Sequence, residues 1–270
     1  MKLLRLKIYQ PQAHYRIPFT YQRRHTYPIP PYSTVIGFLI NLLGLKDQSS
    51  SLYSNGIKNL KISIAGSFET KTIESIWFRN LSKESHKKRF GSFFNRSLSG
   101  HIEHFGGQSP MKIDILNDVY LIIYLFHNDQ NFLELIKENI LNPVQRLEVL
   151  HLGRAEDWIV FDGLPKLIDI DELKYGRFDG NYKLYFWIPE KIFQFDSRFI
   201  NYNDFTGLIY NLPVFSEIEN YENTFNKNGR RKFSYIKTKL NNGEITKTNI
   251  LVDLDSDLPK PIPIFFGDLQ

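Results

Sequence analysis

A basic and aromatic loop near the N-terminus carries residue types that contact nucleic acids. Guanidinium groups donate paired hydrogen bonds to phosphate oxygens, and aromatic rings stack on bases or hydrogen-bond to their edges. The candidate residues of this loop are Tyr15, Arg16, Arg23, Arg24, His25 and Tyr27. The alternative to a nucleic-acid contact is that Tyr27 packs under the proline-rich turn that follows it. The loop therefore predicts an anion-binding surface, and packing explains its arginines less well than its tyrosine.

The start of the next helix supplies a second candidate. Ser33 and Thr34 follow Pro30 and Pro31 and precede an apolar run that ends at Gly44. Serine is a favoured helix N-cap, and the free N–H groups and the dipole at a helix N-terminus favour an anion. The two residues therefore either contact a phosphate or only cap the helix.

A basic segment between residues 81 and 109 forms the third candidate. Its stretch HKKRFGSFFNR interleaves cations with phenylalanines, which suits single-stranded RNA because stacking tolerates any base. In the alternative, these rings pack against a neighbouring subunit. The spacing of His101 and His104 is too weak a signal to predict a metal site. The candidate RNA contacts in this segment are Lys87, Lys88, Arg89 and Arg96.

The fourth candidate is Arg154, which lies in the stretch HLGRAED. Gly153 has no side chain, so another backbone can approach closely at this point and Arg154 can reach a phosphate. The alternative is an internal ion pair of Arg154 with Glu156 or Asp157.

Charge is distributed unevenly along the chain. Residues 1–46 hold seven Lys or Arg and no acid, and residues 79–112 and 222–247 each hold seven basic and two acidic residues. Because the whole chain has a net charge of only +5, the remaining segments are acidic. This segregation indicates basic surfaces that face a polyanion, although three independent solvated basic faces remain an alternative.

Composition narrows the class of protein. With 270 residues, 42% of them apolar, the chain has ample length for a packed core in one large domain or two small ones. The absence of cysteine excludes disulfides and thiolate metal sites and suits a cytoplasmic protein. The N-terminus is no signal peptide, and no run approaches the roughly 20 apolar residues of a membrane span.

The elements that must position the candidate residues follow an α+β order. Residues 3–10 alternate apolar and polar side chains, as in a strand with one buried face. An apolar helix, a strand, the basic insertion, an apolar strand and an amphipathic helix at residues 128–141 come next. This order predicts a ferredoxin-like β-α-β-β-α-β core over residues 1–164, with its last strand at residues 157–163. Residues 165–270 are predicted to form a small β-rich C-terminal region.

Two stretches resemble the Cas-five family, a subunit of the type I CRISPR surveillance complex called Cascade. In HTYPIPPYSTVIGFLINLLG, the residues from Thr26 to Pro31, then Ser33 and Thr34, then Gly37 and Gly44 resemble the family's turn and following helix. The stretch HLGRAED is similar to the family's L-G-R-x-E segment. The two stretches flank the basic insertion, where the family has its thumb hairpin.

The resemblance implies a fold and a function. The fold is an RNA-recognition-motif-like ferredoxin core with a long thumb hairpin inserted at about residues 72–116. The function is that of a non-catalytic subunit that grips the 5′ handle of the crRNA in antiviral defence, most like subtype I-B. The implied partners are the crRNA, the Cascade backbone subunit, the large subunit and target DNA near the protospacer-adjacent motif. No cofactor, metal ion or membrane contact is expected.

A metal-independent endoribonuclease that processes CRISPR repeat RNA is the alternative function. In one branch of the family the protein itself cuts the repeat with a Tyr-Lys-His arrangement, in which a base activates the 2′-hydroxyl. Candidates for such groups are Tyr27 or His25, His86 with Lys87, and His101. The branch's adjacent Lys-His pair has no match here, where the order is His86-Lys87, so no catalytic residue is assigned.

Overall fold

The computed structural model describes most of the chain. The described residues are 1–20, 23–79, 87–88, 91–92, 97–98, 101–102, 108–181, 183–195, 200–218, 231–258 and 260–269. They form a mixed α and β structure in which most strands are antiparallel, as the sequence predicts. Within these residues, no helix is both long enough and apolar enough to cross a membrane.

The strands and helices follow each other in this order. The first strands are β1 (Lys2–Ala13), β2 (Tyr15–Arg16), β3 (Arg23–Arg24), β4 (Thr26–Tyr27), β5 (Lys61–Arg79), β6 (Ser97–Leu98), β7 (His101–Ile102), β8 (Gln108–Phe126) and β9 (Val160–Phe161). The later strands are β10 (Lys166–Asp169), β11 (Lys174–Asn181), β12 (Tyr185–Pro189), β13 (Ile192–Phe193), β14 (Leu208–Ile218), β15 (Arg231–Asn241), β16 (Glu244–Asp253), β17 (Ile262–Pro263) and β18 (Phe266–Gly267). The helices are α1 (Tyr32–Leu42) and α2 (Gln130–Leu141), with short helical turns at Leu52–Gly56, Ile57–Asn59, Ile170–Glu172 and Tyr202–Asp204.

The main sheet has the strand order β10-β1-β8-β5-β12-β15-β14. Both helices pack on one face, where Leu4, Leu6 and Ile8 of β1 join their apolar residues in one core. A smaller sheet, β11-β16-β17, covers part of the other face through a second core. The expectation that β1 has one buried face is therefore incomplete. Arg5 on its second face is also buried, and it donates to Asp253 at 2.9 Å.

Helix α1 begins earlier than the sequence suggests. Its N-cap is Pro31, which makes no side-chain cap hydrogen bond, so the expectation that Ser33 caps the helix is wrong. Proline suits this position because its fixed φ is ready for the turn that enters the helix. The helix ends at Leu42, and the predicted terminator Gly44 follows the C-cap Leu43 with a φ of +68°, which favours a residue without a side chain.

Strands β5 and β8 form a long hairpin that carries the predicted thumb. They pair antiparallel from Lys61 with Phe126 to Arg79 with Gln108. Each strand has 19 residues and is therefore about 60 Å long. Strand β1 pairs with β8 only as far as Leu116, so the last part of the hairpin extends beyond the end of β1.

Strands from both sides of residue 164 share the main sheet. Strand β12 pairs with β5 and continues the sheet to β15 and β14. The predicted last strand of the core is short, because only Val160–Phe161 pairs with β1 there, and β10 pairs with the beginning of β1. The division into domains at residues 1–164 and 165–270 stays a prediction.

Candidate nucleic-acid interface

A buried carboxylate at the base of the hairpin, Asp114, holds the basic loop in place. Arg23 donates from Nε to Oδ1 of Asp114 at 2.8 Å, and His25 donates from Nδ1 to Oδ2 at 3.1 Å. A carboxylate only accepts hydrogen bonds, so Nδ1 of His25 carries the proton in this pair. The ammonium group of Lys71 lies 3.9 Å from Oδ2. Asp114 thus gathers three basic side chains at one point.

The protonation of Asp114 reflects these partners. Burial raises the pKa of the carboxyl, but hydrogen bonds from Arg23 and His25 outweigh burial and hold the pKa below its usual value. The cationic side chains themselves remain accessible, since 40% of the Arg23 side chain and 47% of the His25 side chain are exposed. Arg23 donates to Asp114 from Nε alone. This hydrogen bond therefore leaves both terminal guanidinium nitrogens for another partner.

The backbone also ties the basic loop to the hairpin. Strand β3 pairs parallel with β8, placing Arg23 beside Lys112 and Arg24 beside Ile113. Strand β2 pairs with β4, which sets Arg16 opposite Thr26. Burial and then the charge of Arg16 lower the pKa of Arg24. An anion between like charges relieves their repulsion, which favours a phosphate at this loop.

The two tyrosines of the loop are packing residues in this structure. Tyr15 is fully buried, and its hydroxyl donates to Oε1 of Gln10. Tyr27 is also buried, with its ring edge-on to Trp187 and Tyr210 at 5.7 and 5.5 Å between centroids. Burial, then Tyr210 and Tyr235, raises the pKa of Tyr27 to about 12. Neither ring offers the exposed stacking face that the sequence suggested, because each lies inside the core.

Arg154 makes the internal ion pair that the sequence left as an alternative. It donates from Nη2 to Asp157 Oδ1 at 2.7 Å and lies 3.2 Å from Glu156 and 4.0 Å from Glu74 on β5. Burial lowers the pKa of Arg154, but the hydrogen bond and charge of Asp157 outweigh burial and raise it. In this structure the guanidinium group therefore binds the chain's own carboxylates.

Gly153 permits a close backbone approach, as predicted, but the approaching backbone belongs to the same chain. A Cβ at this position would lie 2.6 Å from Asp157 Oδ2 and 2.9 Å from the carbonyl oxygen of His14. The φ of +110° also favours glycine. The turn thus brings Asp157 Oδ2 to the N–H groups of His14 and Arg154, at 2.9 and 2.8 Å.

His14 joins the two clusters. Its backbone N–H donates to Asp157, and its Nδ1 lies 2.8 Å from the carbonyl oxygen of Asp114. Burial is the main cause that lowers the pKa of His14, and the charges of Arg154 and Arg24 lower it further. The basic loop and Arg154 therefore lie next to each other around one buried imidazole.

Sequence reasoning missed the residues that fasten these segments together. Gln10 donates from Nε2 to the carbonyl oxygens of Leu152 and Asp157, both at 3.0 Å, and so fastens the Arg154 turn to β1. Asp114 is the acid of the alternating stretch MKIDIL. An isolated acid in an otherwise apolar and basic strand was the available signal for it.

The remaining candidate residues lie elsewhere in the chain. Ser33 and Thr34 lie half-buried in the first turn of α1, where the N–H of Thr34 donates to the carbonyl of Pro31 at 3.0 Å. Lys87 and Lys88 are exposed. Arg89 and Arg96, the remaining candidates of the basic insertion, lie outside the described residues. The structure thus brings Arg23 and His25 together at Asp114, with Arg16, Arg24 and Arg154 nearby.

Solved structures show similarity in fold at low sequence identity. A chain of a structure described as a CRISPR RNA-guided surveillance complex is similar with a TM-score of 0.54 and 12% identity, covering 93% of this chain and 91% of the other. A structure described as a Cas protein has a TM-score of 0.43 and 13% identity, with 91% and 98% covered. A chain of a type III-B Cmr-beta complex bound to cognate target RNA and AMPPnP has a TM-score of 0.43 and 13% identity, with 92% and 86% covered.

The family assignment comes from the sequence itself. No curated protein matches the chain significantly. The family described as CRISPR-associated protein (Cas_Cas5) matches residues 3–246, which is nearly the whole chain. This match confirms the resemblance carried by residues 25–44 and 151–157, and the chain belongs to the CRISPR-associated protein (Cas_Cas5) family.

Proposed function

We propose that this chain is a non-catalytic RNA-binding subunit of a type I CRISPR surveillance complex and grips the 5′ handle of the crRNA. The observation that carries the proposal is the Asp114 cluster. One buried carboxylate holds Arg23 and His25 at the base of the hairpin, and the two side chains keep 40% and 47% of their surface exposed. Basic groups held in a fixed geometry lose little freedom when they bind a phosphate.

The strand order supports the RNA-binding proposal. The order β10-β1-β8-β5, with α1 after β1 and α2 after β8, supports assigning the core to the ferredoxin-like β-α-β-β-α-β class. RNA-recognition motifs are built on such a four-stranded sheet. We therefore assign the core to this class and the β5–β8 hairpin to the thumb.

The similar chain from the CRISPR RNA-guided surveillance complex supports the choice of partners. The partners we propose are the crRNA, the backbone subunit and the large subunit, with target DNA near the protospacer-adjacent motif as a further contact. In this arrangement the chain caps the backbone next to the large subunit. Subtype I-B and a cytoplasmic location belong to the same proposal.

The salt dependence of RNA binding tests the proposal. If about five phosphates contact the chain, the logarithm of the affinity should fall with the logarithm of salt with a slope near −3.5, taking about −0.7 per contact for single strands. Raising salt from about 50 to about 200 mM should then weaken handle binding roughly 100-fold. Arg23→Ala should weaken binding and make the slope shallower by about 0.7, because one phosphate contact is lost.

Arg146→Ala is the matched control, since Arg146 is an exposed arginine in the segment after α2, outside the Asp114 cluster. The control should leave the affinity and the slope unchanged. A flat salt response of the assembled complex, or equal effects of the two substitutions, would contradict the assignment of the basic loop as the RNA contact.

One observation favours a second candidate function, metal-independent cleavage of CRISPR repeat RNA. His25 pairs through Nδ1 with Asp114, which leaves Nε2 as a group that a carboxylate orients for proton transfer. Tyr27 is a poor base here, because it is buried and its pKa is raised to about 12. Incubation of the purified chain with its repeat RNA in EDTA separates the two functions. A single cut upstream of the handle that His25→Ala abolishes would establish the nuclease, whereas intact RNA supports the binding function.

A further inference from the structure

Two exposed aromatic rings lie side by side on β15, away from the Asp114 cluster. Phe233 is 47% exposed and Tyr235 is 53% exposed, and their ring centroids are 6.4 Å apart with planes inclined by 44°. Residues two apart on a strand point to the same face, so the two rings and Lys237 share one face of β15. Pro213 of β14 pairs with Tyr235 and Asn211 pairs with Lys237. The face of β15 formed by Phe233, Tyr235 and Lys237 is called the ring face below.

Strand β15 is covered by other residues at one end and exposed to solvent at the other. Two residues beyond Lys237, the ammonium group of Lys239 lies 4.2 Å from the ring centroid of Tyr202 and donates to the carbonyls of Tyr202 and Phe205. Toward Arg231 the rings are half exposed to solvent. Exposed apolar groups clustered in this way mark interaction sites, because water solvates them poorly.

Charge identifies the kind of partner. Lys232 and Lys237 lie on either side of the two rings along β15, and both are exposed. The nearby carboxylates are already paired, Glu190 with Lys237 at 2.6 Å and Glu217 with Lys58 at 2.5 Å. Protein interfaces are depleted in lysine, whereas cations beside stacking rings are typical of surfaces for single-stranded nucleic acid.

A cleft beside the rings adds room for a ligand. Phe233, Lys232, Lys58 and Phe215 line a space of about 380 Å³. Sites for small organic groups occupy about 300–1,000 Å³, so this cleft has room for a base or a sugar. Glu217 also lines the cleft and pairs with Lys58 there.

We propose that the ring face is a second contact site for single-stranded RNA, in which Phe233 and Tyr235 stack on bases and Lys237 contacts the backbone. The choice of RNA over DNA rests on the proposed function. The site itself rests on the rings, the excess cations and the cleft.

The test uses the full chain and a fluorescently labelled single-stranded oligouridine of about 12 nucleotides, a length within the usual range for such sites. Fluorescence anisotropy measures its affinity for the wild type and for a double variant, Phe233→Ala with Tyr235→Ala. The double variant should bind at least about 10-fold more weakly, because stacking on each ring is lost. Tyr235→Phe should bind within about 2-fold of the wild type, since a phenyl ring also stacks.

Ile209→Ala is the matched control, because it removes an exposed apolar side chain that cannot stack on a base. It should leave RNA affinity unchanged, and equal midpoints of thermal unfolding verify that each variant folds. An unchanged affinity of the double variant would overturn the proposal. Tighter binding of oligothymidine DNA than of RNA, lost in the double variant, would overturn the choice of RNA. If Ile209→Ala lost as much RNA affinity as the double variant, the binding would be to a general apolar surface. That result would also overturn the proposal.

A failure of the ring-face inference can be distinguished from a failure of the proposed function. Arg23→Ala tests the basic loop with the handle RNA, and the double variant tests the ring face with oligouridine. If Arg23→Ala weakens handle binding and the double variant binds oligouridine normally, only the ring-face inference fails. If the double variant loses binding and Arg23→Ala has no effect, the ring face stands and the handle assignment fails.

Discussion

The substitution Asp157→Asn should destabilise the chain far more than Glu156→Gln, although both acids pair with Arg154. The side chain of Asp157 is 0% exposed, whereas that of Glu156 is 64% exposed. Asp157 Oδ2 accepts the N–H groups of His14 and Arg154, and Oδ1 accepts the guanidinium group. An asparagine oxygen can replace Oδ2, but its amide group then places N–H donors against the N–H donors of Arg154.

The size of the effect follows from burial. Removing one member of a buried ion pair costs about 3–5 kcal/mol, because the other charge is left without compensation. Arg154 is partly exposed and keeps Glu156 and Glu74 as partners, so the lower end of about 3 kcal/mol applies to Asp157→Asn. An exposed pair contributes about 0–1 kcal/mol, so Glu156→Gln should change the free energy of unfolding by about 0.5 kcal/mol or less.

Urea unfolding, followed by tryptophan fluorescence, measures both variants against the wild type. With an m value of about 3 kcal/mol/M, the midpoint of Asp157→Asn should fall by about 1 M and that of Glu156→Gln by less than about 0.2 M. Equal midpoints for the two variants would refute the argument that Asp157 contributes more to the free energy of unfolding than Glu156 because it is buried. An unchanged midpoint for Asp157→Asn would refute its role in fastening the turn.

Three further predictions concern backbone conformation and pH. Gly153→Ala should lower thermal stability by about 1–3 kcal/mol, because the site has a φ of +110° and a Cβ would meet Asp157 Oδ2. Gly37→Ala should instead stabilise the chain by about 0.5–1 kcal/mol, since this helical site has nothing within 4 Å of a built Cβ. Asp114→Asn should destabilise the chain at pH 7. The folded-state pKa of Asp114 is lowered, so its contribution is present above the unfolded pKa of about 3.9 and is lost as pH falls through the lower folded value. Urea unfolding at pH 7 and below pH 4 should therefore show a difference from wild type that shrinks in acid.

The order of the main elements could be predicted because their patterns are local. The alternation of β1 and the apolar repeat of α1 depend on neighbouring residues, and the structure confirms both elements. The start of α1 was misplaced by two residues, because serine is the commoner cap and proline takes that role only through its backbone. The hairpin was predicted from two apolar strands on either side of a basic insertion, although its paired arms extend further than expected.

The candidate site was predicted in part. The cations of the basic loop were identified from composition, and the structure places Arg23 and His25 on one carboxylate. Which carboxylate this is could not be predicted, because Asp114 lies 91 residues from Arg23 along the chain. The role of Arg154 was left open between a phosphate and an internal pair, and the structure shows the internal pair with the buried Asp157.

The sequence by itself determined the family, the excess of cations near the N-terminus and the proline turn that leads into an uncharged helix. These are properties of residue types and of short spacings, which need no knowledge of distant contacts. Only the tertiary structure decided that Tyr27 packs against Trp187 and Tyr210 instead of facing a ligand. Burial depends on which distant strands meet, and β12 and β14 join this end of the sheet more than 150 residues after Tyr27.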